Sequence, residues 1–599
     1  MQTVTVAISL EGINYLFSKL LGGQIAQALK THLAAPPTQT FRPPDFTVSN
    51  GSKYSGVSVH LSSGMFKSFN STFGRWEQGR GDGSRFTVTI NTGNVETDYA
   101  WSESFTETRW IPAMFHSPGH YGTPHPGSGN YTYSISIQNI SIPATFKLAV
   151  GTGGYQLTYI SSNPQFSNEQ PNYPSGSVLM QPQDGPGCSW TNAAASLTNV
   201  GLDGFGSSVD AALRPIFASI ADTGKLQVVR DKKTVTVEFD FLAPGESGLV
   251  FPDGGGIQIG AKGGVAVNEV PYPETPPRAL GLPPVPTGAS APHVTYFIQD
   301  YAVNALFWGF HAAGALTATL ASGDITDKQA LETNSYAGGS LNNLALKYPG
   351  KFMSASLSAR EAPTVSFQTV YAFTAQNLQA IQKALGPTVW TKFGAEIEQL
   401  QGQRFSSQTG LENELGLLDP NLSPYAPVIE QHTGMKGIVV NHTTRCVLNV
   451  LQQQTAIPVI TFDVAQIFLM EGLQLGQSSS KAAQSVIFTF IQPMDKLPVA
   501  SFVSSSLPGV NSGDFSDVWN ALRPNWQEVF FAVGAAGLPL PHIPGFDFLF
   551  DKKTLPEVVL PGPGGDGYLS VTANMTYAPE KLAFAVRSAM SGQSIAPGI

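Results

Sequence analysis

The chain has 599 residues, more than the roughly 250 to 300 at which a single core stops growing, so at least two domains are expected. Only 13% of its residues are charged, against about 25% in typical soluble domains; Gly, Ser, Thr, Asn and Pro are abundant, which favours a strand- and turn-rich protein over a helical bundle. A formal net charge of -9 without a dense Lys/Arg footprint excludes nucleic acid as a partner, and two cysteines, Cys188 and Cys446, exclude a disulfide framework and a CxxC metal pair.

Met1 to Val6 lacks the basic and apolar regions of a secretory signal. Asn-x-Ser/Thr sequons such as those at Asn70 and Asn441 lean the other way. The expected location is extracellular, with the cytoplasm as the alternative. Thr3 to Ile8 alternates and reads as a strand. Ser9 is a candidate N-cap, and Leu10, Ile13, Leu16, Phe17, Leu20, Leu21, Ile25 and Leu29 form one apolar stripe at helical spacing. Alternating segments follow at Val57 to Leu61, Phe86 to Ile90, Ser134 to Ile137 and Tyr155 to Ile160, the pattern of a sheet with one buried and one wet face.

Between the first two strands, Phe66, Phe69, Phe73 and Trp76 mix with Lys67, Arg75, Arg80 and Arg85. Amphipathic aromatics beside cations suit a membrane interface or a lipid headgroup; an exposed hairpin packed on a neighbour explains them as well. Arg80-Gly81-Asp82 reads as a tight turn rather than an integrin signal. His116, His120 and His125 lie among Pro and Gly with no Asp, Glu or Cys beside them, so a surface loop is expected and no metal site.

A second helix is expected over about 205 to 220. Gly254 to Gly264 has a P-loop's glycines without its Gly-Lys-Ser/Thr ending. Pro271 to Pro292 is dense in proline, the composition of a semi-rigid connector, and divides the chain into domains 1-270 and 293-599 joined by a linker at 271-292. In the second half Val294 to Ile298 reads as a strand, Asp300 as a cap, and Val303, Leu306, Phe307 and Phe310 as the start of a helical stripe. Tyr301 to Gly323 is uncharged and long enough to cross a bilayer, but Asn304, His311 and its glycines favour a buried helix followed by a strand. Thr364 to Phe373 and Val486 to Ile491 alternate, and a helix is expected over about 515 to 533.

Val209, Ala212, Leu213, Arg214 and Pro215 spell V-x-x-A-L-R-P, which recurs 309 positions later at Val518, Ala521, Leu522, Arg523 and Pro524. Val250-Phe-Pro recurs as Val559-Leu-Pro at the same spacing. Two echoes in one register read as two copies of one fold. The proline in each repeated helix either kinks it or marks its boundary.

Helix, long antiparallel sheet, second helix, closing strands, a Pro-rich crossing and the same series again resemble the two-barrel members of the tubular lipid-binding (TULIP) superfamily, of the bactericidal/permeability-increasing and lipopolysaccharide-binding type. The segments that carry the likeness are Val6 to Tyr15, Val294 to Tyr301, Lys347-Tyr-Pro-Gly-Lys351 and Gly537-Leu-Pro-Leu-Pro541. The resemblance implies an α+β fold of two tandem pseudo-symmetric barrels, boomerang-like, each a highly curved antiparallel sheet wrapped around a long helix plus a second helix. Two features depart from that family. Cys188 sits near the expected strand position of its disulfide, but no Cys in 205 to 220 meets it, and the basic tip of the bactericidal members is missing from this acidic chain.

What the resemblance implies is a lipid-binding or lipid-transfer protein with phospholipid or another acyl-chain lipid in one elongated pocket per barrel. The lining expected is Ile13, Phe17, Leu20, Leu21 and Ile25 in the first half and Val303, Leu306, Phe307 and Phe310 in the second; plain core packing explains the same residues. Transient membrane contact falls to the segment from Phe66 to Arg85. The alternatives are a scaffold with a protein partner, such as a bacterial toxin-accessory protein, and an innate-defence protein binding bacterial envelope lipid. No Gly-x-Ser-x-Gly elbow, His-Glu-x-x-His or Walker loop is present, so neither an enzyme nor a cofactor is expected.

Overall fold

A computed structural model of the chain describes residues 3–19, 39–78, 85–114, 117–151, 154–163, 165–180, 183–184, 210–211, 214, 221–222, 225–230, 233–238, 249–252, 255–274, 284–339, 341–453, 455–477, 484–495, 498–510, 515–539, 545–549, 557–560 and 567–580. Strands dominate, every ladder among the described residues is antiparallel, and helices are few, so the fold is α+β.

One sheet is built from the ends of both halves, in the order Leu249–Val250, Ile257–Ala261, Val4–Ile8, Val294–Gln299, Tyr568–Tyr577 and Phe546–Leu549, with Glu557–Val559 also on Tyr568–Tyr577. At its centre the two opening strands pair with each other, Val4 opposite Ile298 through Ile8 opposite Val294. Each also pairs with its own half's closing strand, Ile8 with Ile257 and Ile298 with Leu569. Thr3 to Ile8 is a strand as its alternation predicts, and all of Val4–Ile8 is buried, on both faces. The reason is the connector: Val285 packs on Ala7 and Phe297 from one side, while Val4, Val6 and Ile8 join the main core on the other.

From each opening strand the chain turns straight into a helix. Residues 10–19 are helical, and Ser9 caps them as expected: its Oγ accepts from the Gly12 N–H at 3.0 Å. The second helix, Asp300–Ala312, has Gln299 at its cap position. Asp300, expected there, is instead the first helical residue, with its carboxylate in the turn where the helix dipole is positive. Strand Thr317–Ala321 follows, so Tyr301 to Gly323 is a buried helix and then a strand, and among the described residues no helix is long and apolar enough to cross a membrane.

The alternating segments of the first half are pieces of very long strands: Lys53–Gln78, Arg85–Thr108 and His125–Gly151 lie side by side in a nine-stranded sheet. Repeated bulges interrupt the first pair, between Ser55 and Ser58, Ser62 and Gly64, Phe66 and Ser68, and beyond; each bends the strand and lets so long a ladder curl. The second half has its own nine-stranded sheet, in which Met353–Ala359, Thr364–Ala372, Gly434–Gln452, Thr455–Gln477 and Gln484–Ile491 are the main strands. Among the described residues neither sheet closes on itself.

A four-stranded sheet, Lys225–Arg230, Lys233–Glu238, Gly264–Val267 and Val270–Pro271, covers the second half's opening helix. A Cβ on Gly309 of that helix would stand 2.7 Å from Val265 and 2.9 Å from Val235, so glycine permits the close approach. Pro271, expected to open the connector, ends a strand here. In the second half, helix Ser516–Ala536 carries the repeated motif and runs through Pro524. Its first-half counterpart at 205 to 220 lies almost wholly outside the described residues.

The sequence reading did not foresee a helical module between strands Thr364–Ala372 and Gly434–Gln452. Helices Ala375–Glu398, Gln408–Leu418 and Ala426–Thr433 share a separate core that includes Leu378, Ile381, Phe393, Ile397, Leu411 and Ile429. Its signals are in the sequence: Thr374 and Ser407 cap two of the helices by accepting from the Asn377 and Gly410 N–H groups.

The tightest point of the central sheet gives a prediction. Ser9 N–H donates to the His293 carbonyl at 3.0 Å, and a Cβ on Gly12 would run into that same oxygen. Gly12→Ala is expected to destabilise the chain by roughly 1–3 kcal/mol through overpacking, read as a lower urea midpoint. An unchanged midpoint would mean the helix start is not held against His293.

Candidate functional site

The paired opening strands place the two opening helices about a common centre. Taking Val6 and Tyr296, which face each other, as equivalent, Val4-Thr5, Ile8, Ile13-Asn14 and Leu16-Phe17 fall on Val294-Thr295, Ile298, Val303-Asn304 and Leu306-Phe307. The spacing of this match is 290 residues. The two echoes at 309 do not reveal it, because the intervening loops differ in length; aligning the openings on their own would have.

The expected lining residues of both helices lie in one place. Ile13, Phe17, Val303, Leu306, Phe307 and Phe310 are each no more than 2% exposed and belong to a single cluster of buried side chains that runs through both halves. Phe17 meets Phe86 at 6.1 Å and Phe146 at 5.1 Å between ring centroids, and those two rings stack on each other. Phe307 stacks on Phe530 at 5.7 Å and lies 6.3 Å from Phe490. Asn304 clamps the neighbouring sheet: its Oδ1 accepts from the Val365 N–H at 2.6 Å and its Nδ2 donates to the Val365 carbonyl at 3.1 Å. Leu20, Leu21 and Ile25 lie outside the described residues.

A polar belt crosses the interior of the second half. Among the described side chains of Gly434–Gln452 and Thr455–Gln477, the inward positions are apolar except His442, Thr444 and Gln466, with His442 directly opposite Gln466. Trp526 Nε1–H donates to His442 Nε2 at 3.1 Å, the Thr444 hydroxyl lies 2.7 Å from that nitrogen, and Gln466 Nε2 donates to Thr444 Oγ1 at 2.9 Å. An indole N–H only donates, so Nε2 is the acceptor and the neutral ring carries its proton on Nδ1. Nδ1 and Gln466 Oε1 are both buried without a partner among the described residues. Burial, and secondarily the nearby His311, pulls the His442 pKa down to about 3. The belt sits between the apolar cluster around Phe468, Phe490 and Phe530 and that around Cys446, Phe462 and Trp519. Sequence reading missed it, although His442 and Thr444 in an otherwise apolar alternation were the signal.

Other expected positions are scattered. The backbone of the aromatic and basic segment forms strand, with Phe66, Phe69, Phe73 and Trp76 opposite Thr97, Val95, Ile90 and Val88. The side chains of Phe66, Lys67, Phe69, Phe73, Arg75 and Trp76, and Arg80 entirely, lie outside the described residues. Arg85 is exposed and pairs across the ladder with Lys147. His116 lies outside the described residues, and His120 and His125 are exposed. Among the described residues no three metal-ligating side chains gather. Cys446 is a free, buried thiol whose pKa burial pushes up, and Cys188 lies outside the described residues.

A cleft of about 490 Å³ opens where the helical module meets the sheet, lined in part by Tyr371, Glu430, Met435, Lys436 and Leu560. Burial, and then the charges of Glu430 and Glu412, raise the Tyr371 pKa. Lys436 lies 3.8 Å from Glu557, an exposed pair of little energetic weight.

No family model matches the chain, and no curated protein matches it. Among solved structures it is similar to lipopolysaccharide binding protein, with a TM-score of 0.44 and 12% identity over 96% of this chain and 99% of that one. It is also similar to P47 from Clostridium botulinum A2, with a TM-score of 0.17 and 8% identity over 96% and 97% of the two chains. A third is Takeout 1 of Epiphyas postvittana, with a TM-score of 0.16 and 11% identity over 34% of this chain and 89% of that one. All three have TULIP-type folds.

The belt makes a prediction about acid. A histidine whose folded pKa lies below its ordinary value near 6.5 stabilises the fold fully above that value and progressively less as pH falls towards its folded pKa near 3. His293 adds to the same slope: burial lowers its pKa, and its Nδ1 accepts from the Met575 N–H at 2.9 Å. His442→Gln supplies an acceptor that does not titrate. Between about pH 6 and pH 4 the variant is expected to lose less stability than the parent, by up to about 1.4 kcal/mol per pH unit, in urea titrations; parallel losses would exclude His442 as the titrating group.

Proposed function

We propose that the protein binds lipid, holding acyl chains in elongated apolar interiors, one in each of two halves, 1-270 and 293-599, that are copies of one fold joined by 271-292. The observation that supports this most is the matched pair of opening helices, whose inward Ile13 and Phe17, and Val303, Leu306, Phe307 and Phe310, lie in one continuous apolar interior. Leu20, Leu21 and Ile25 continue the first stripe in sequence. Each buried methylene contributes about 0.8 kcal/mol, so two long acyl chains supply ample affinity without a charged contact. That fits a chain with few charges. Binding rather than catalysis is the role, and the cargo is phospholipid or a similar acyl-chain lipid.

A second reading has its own support. Phe307, Phe468, Phe490 and Phe530 occupy the second half's interior with rings in contact, and Trp526 joins them through the His442 ring; the second half also inserts the helical module with a core of its own. Those features suit a scaffold that docks a protein. Native mass spectrometry of gently purified chain, followed by organic extraction, distinguishes the two. Stoichiometric lipid, replaced on addition of a fluorescent phospholipid, is the expected result. A lipid-free chain that takes up no phospholipid and copurifies with a stoichiometric protein would contradict lipid binding and favour the scaffold.

A further inference from the structure

After strand Arg85–Thr108 the chain leaves the large sheet and forms a small hairpin of its own, Trp110–Ile111 against His120–Tyr121. It lies at the end of that strand opposite the connection to Lys53–Gln78. Its apolar side chains face outward: Trp110 is 39% exposed, Ile111 43%, Met114 69% and Tyr121 48%. Water-facing Trp, Ile, Met and Tyr on one hairpin lack the usual reason for such residues, which is burial.

The hairpin is rigidly built. Trp110 and Tyr121 meet edge to face at 5.0 Å. A Cβ on Gly119 would run into the Trp110 ring, and one on Gly51 would lie 2.9 Å from the Trp110 Cβ, so glycines on two segments let the indole lie flat. Gly51 has a φ of 82°, a conformation that itself favours glycine. Gly122 N–H donates to the Arg109 carbonyl at 2.9 Å and Ser117 N–H to the Met114 carbonyl at 3.1 Å, which fixes the two arms. The exposed aromatics are therefore presented in one orientation before any partner arrives.

We infer that this hairpin docks on a lipid bilayer bearing anionic headgroups. Two observations select a bilayer over a protein. The four side chains expose on the order of 400 Å², about half of the roughly 800 Å² per partner in a stable protein interface, whereas a few inserted Trp, Tyr and aliphatic side chains suffice for reversible attachment to a membrane. The charge is also one-sided: no Asp or Glu occurs from Thr108 to Asn168, and the charged or titratable residues from Arg109 to His125 are Arg109, His116, His120, Tyr121 and His125, of which Arg109, His120, Tyr121 and His125 are exposed. The nearest acid in the sequence is Glu107, whose Oε1 lies 3.2 Å from Arg109 Nε. A cation at the rim and amphipathic rings at the level of the headgroups suit anionic lipid. The chain's net negative charge keeps this attraction local.

The docking is independent of any lipid held in the interior, so either reading can fail while the other stands. Cosedimentation of the full chain with vesicles of phosphatidylcholine mixed with phosphatidylglycerol tests it, against vesicles of phosphatidylcholine alone. Binding to the mixed vesicles is expected, with a blue-shifted tryptophan emission that Trp110→Ser reduces. Met114→Ser, at the most exposed of the four positions, is expected to weaken partition on the order of tenfold while leaving the thermal melt unchanged. Binding that survives Trp110→Ser and Met114→Ser but is lost in Lys67→Ser/Arg75→Ser would overturn the assignment in favour of the segment from Phe66 to Arg85. No binding to either vesicle would overturn it as well, and would leave the hairpin to a protein partner.

Discussion

The ladder between Val4–Ile8 and Val294–Gln299 is the constraint on which the rest of the molecule depends. Antiparallel pairing fixes the register of two strands almost 300 residues apart, and a slip of one residue would turn Val4, Val6 and Ile8 out of the core. Because each helix begins within two residues of its strand, the ladder also sets where both helices enter. Each then packs against the other half. Tyr15 stacks on His293 at 4.6 Å and accepts at its hydroxyl from the Tyr577 N–H at 3.2 Å. In the second helix Gly309 lies against Val235 and Val265 of the first half, while Tyr301 donates to the Glu274 carbonyl at 2.9 Å and Trp308 lies 5.6 Å from Tyr272, both in the connector. Neither opening helix is buried by its own half alone.

That arrangement explains why the interior is apolar and continuous. Phe17 enters a pair of phenylalanines on the sheet beside it, and Phe307 enters between Phe490 of the sheet and Phe530 of helix Ser516–Ala536. The two halves differ in their buried polar groups. In the first, a buried carboxylate, Glu103, holds the turn at Ser177 and Val178, with the Val178 N–H donating at 3.1 Å and Trp101 Nε1–H at 3.2 Å. In the second, the belt of His442, Thr444 and Gln466 divides the interior between two apolar clusters. Buried polar groups of this kind cost stability unless satisfied, so they restrict which side chains or ligands share the space. The proposed acyl-chain interiors thus need not be alike in length or polarity.

Much of the scaffold was legible in the sequence because local signals and burial agree there. Ser9, the helical stripe from Ile13 to Phe17, the strand and helix around Asp300, and the helix through Pro524 all announce themselves in this way. Three things were not. Short alternating runs such as Val57 to Leu61 gave no hint of strands more than twenty residues long, because bulges shift the alternation at each bend and break the period-two pattern. The buried alternation of Val4–Ile8 hid a second covered face, since what covers it is Val285 from a distant, Pro-rich segment. The helical module was masked by Gly386 and Pro387, which interrupt the periodicity of its longest helix; Gly386 adopts a φ of 76° there. As for the site, helix periodicity put Ile13, Phe17, Val303, Leu306, Phe307 and Phe310 on apolar stripes and these six are buried, but only three-dimensional pairing brings the two stripes into one cluster.

If the central ladder joins the halves as described, they cannot unfold separately. Differential scanning calorimetry of the intact chain tests this most directly. A single transition in which the calorimetric and van't Hoff enthalpies agree is expected. Two resolved transitions, each with the enthalpy of about half the chain, would contradict it and would mean that the paired opening strands do not hold the molecule together.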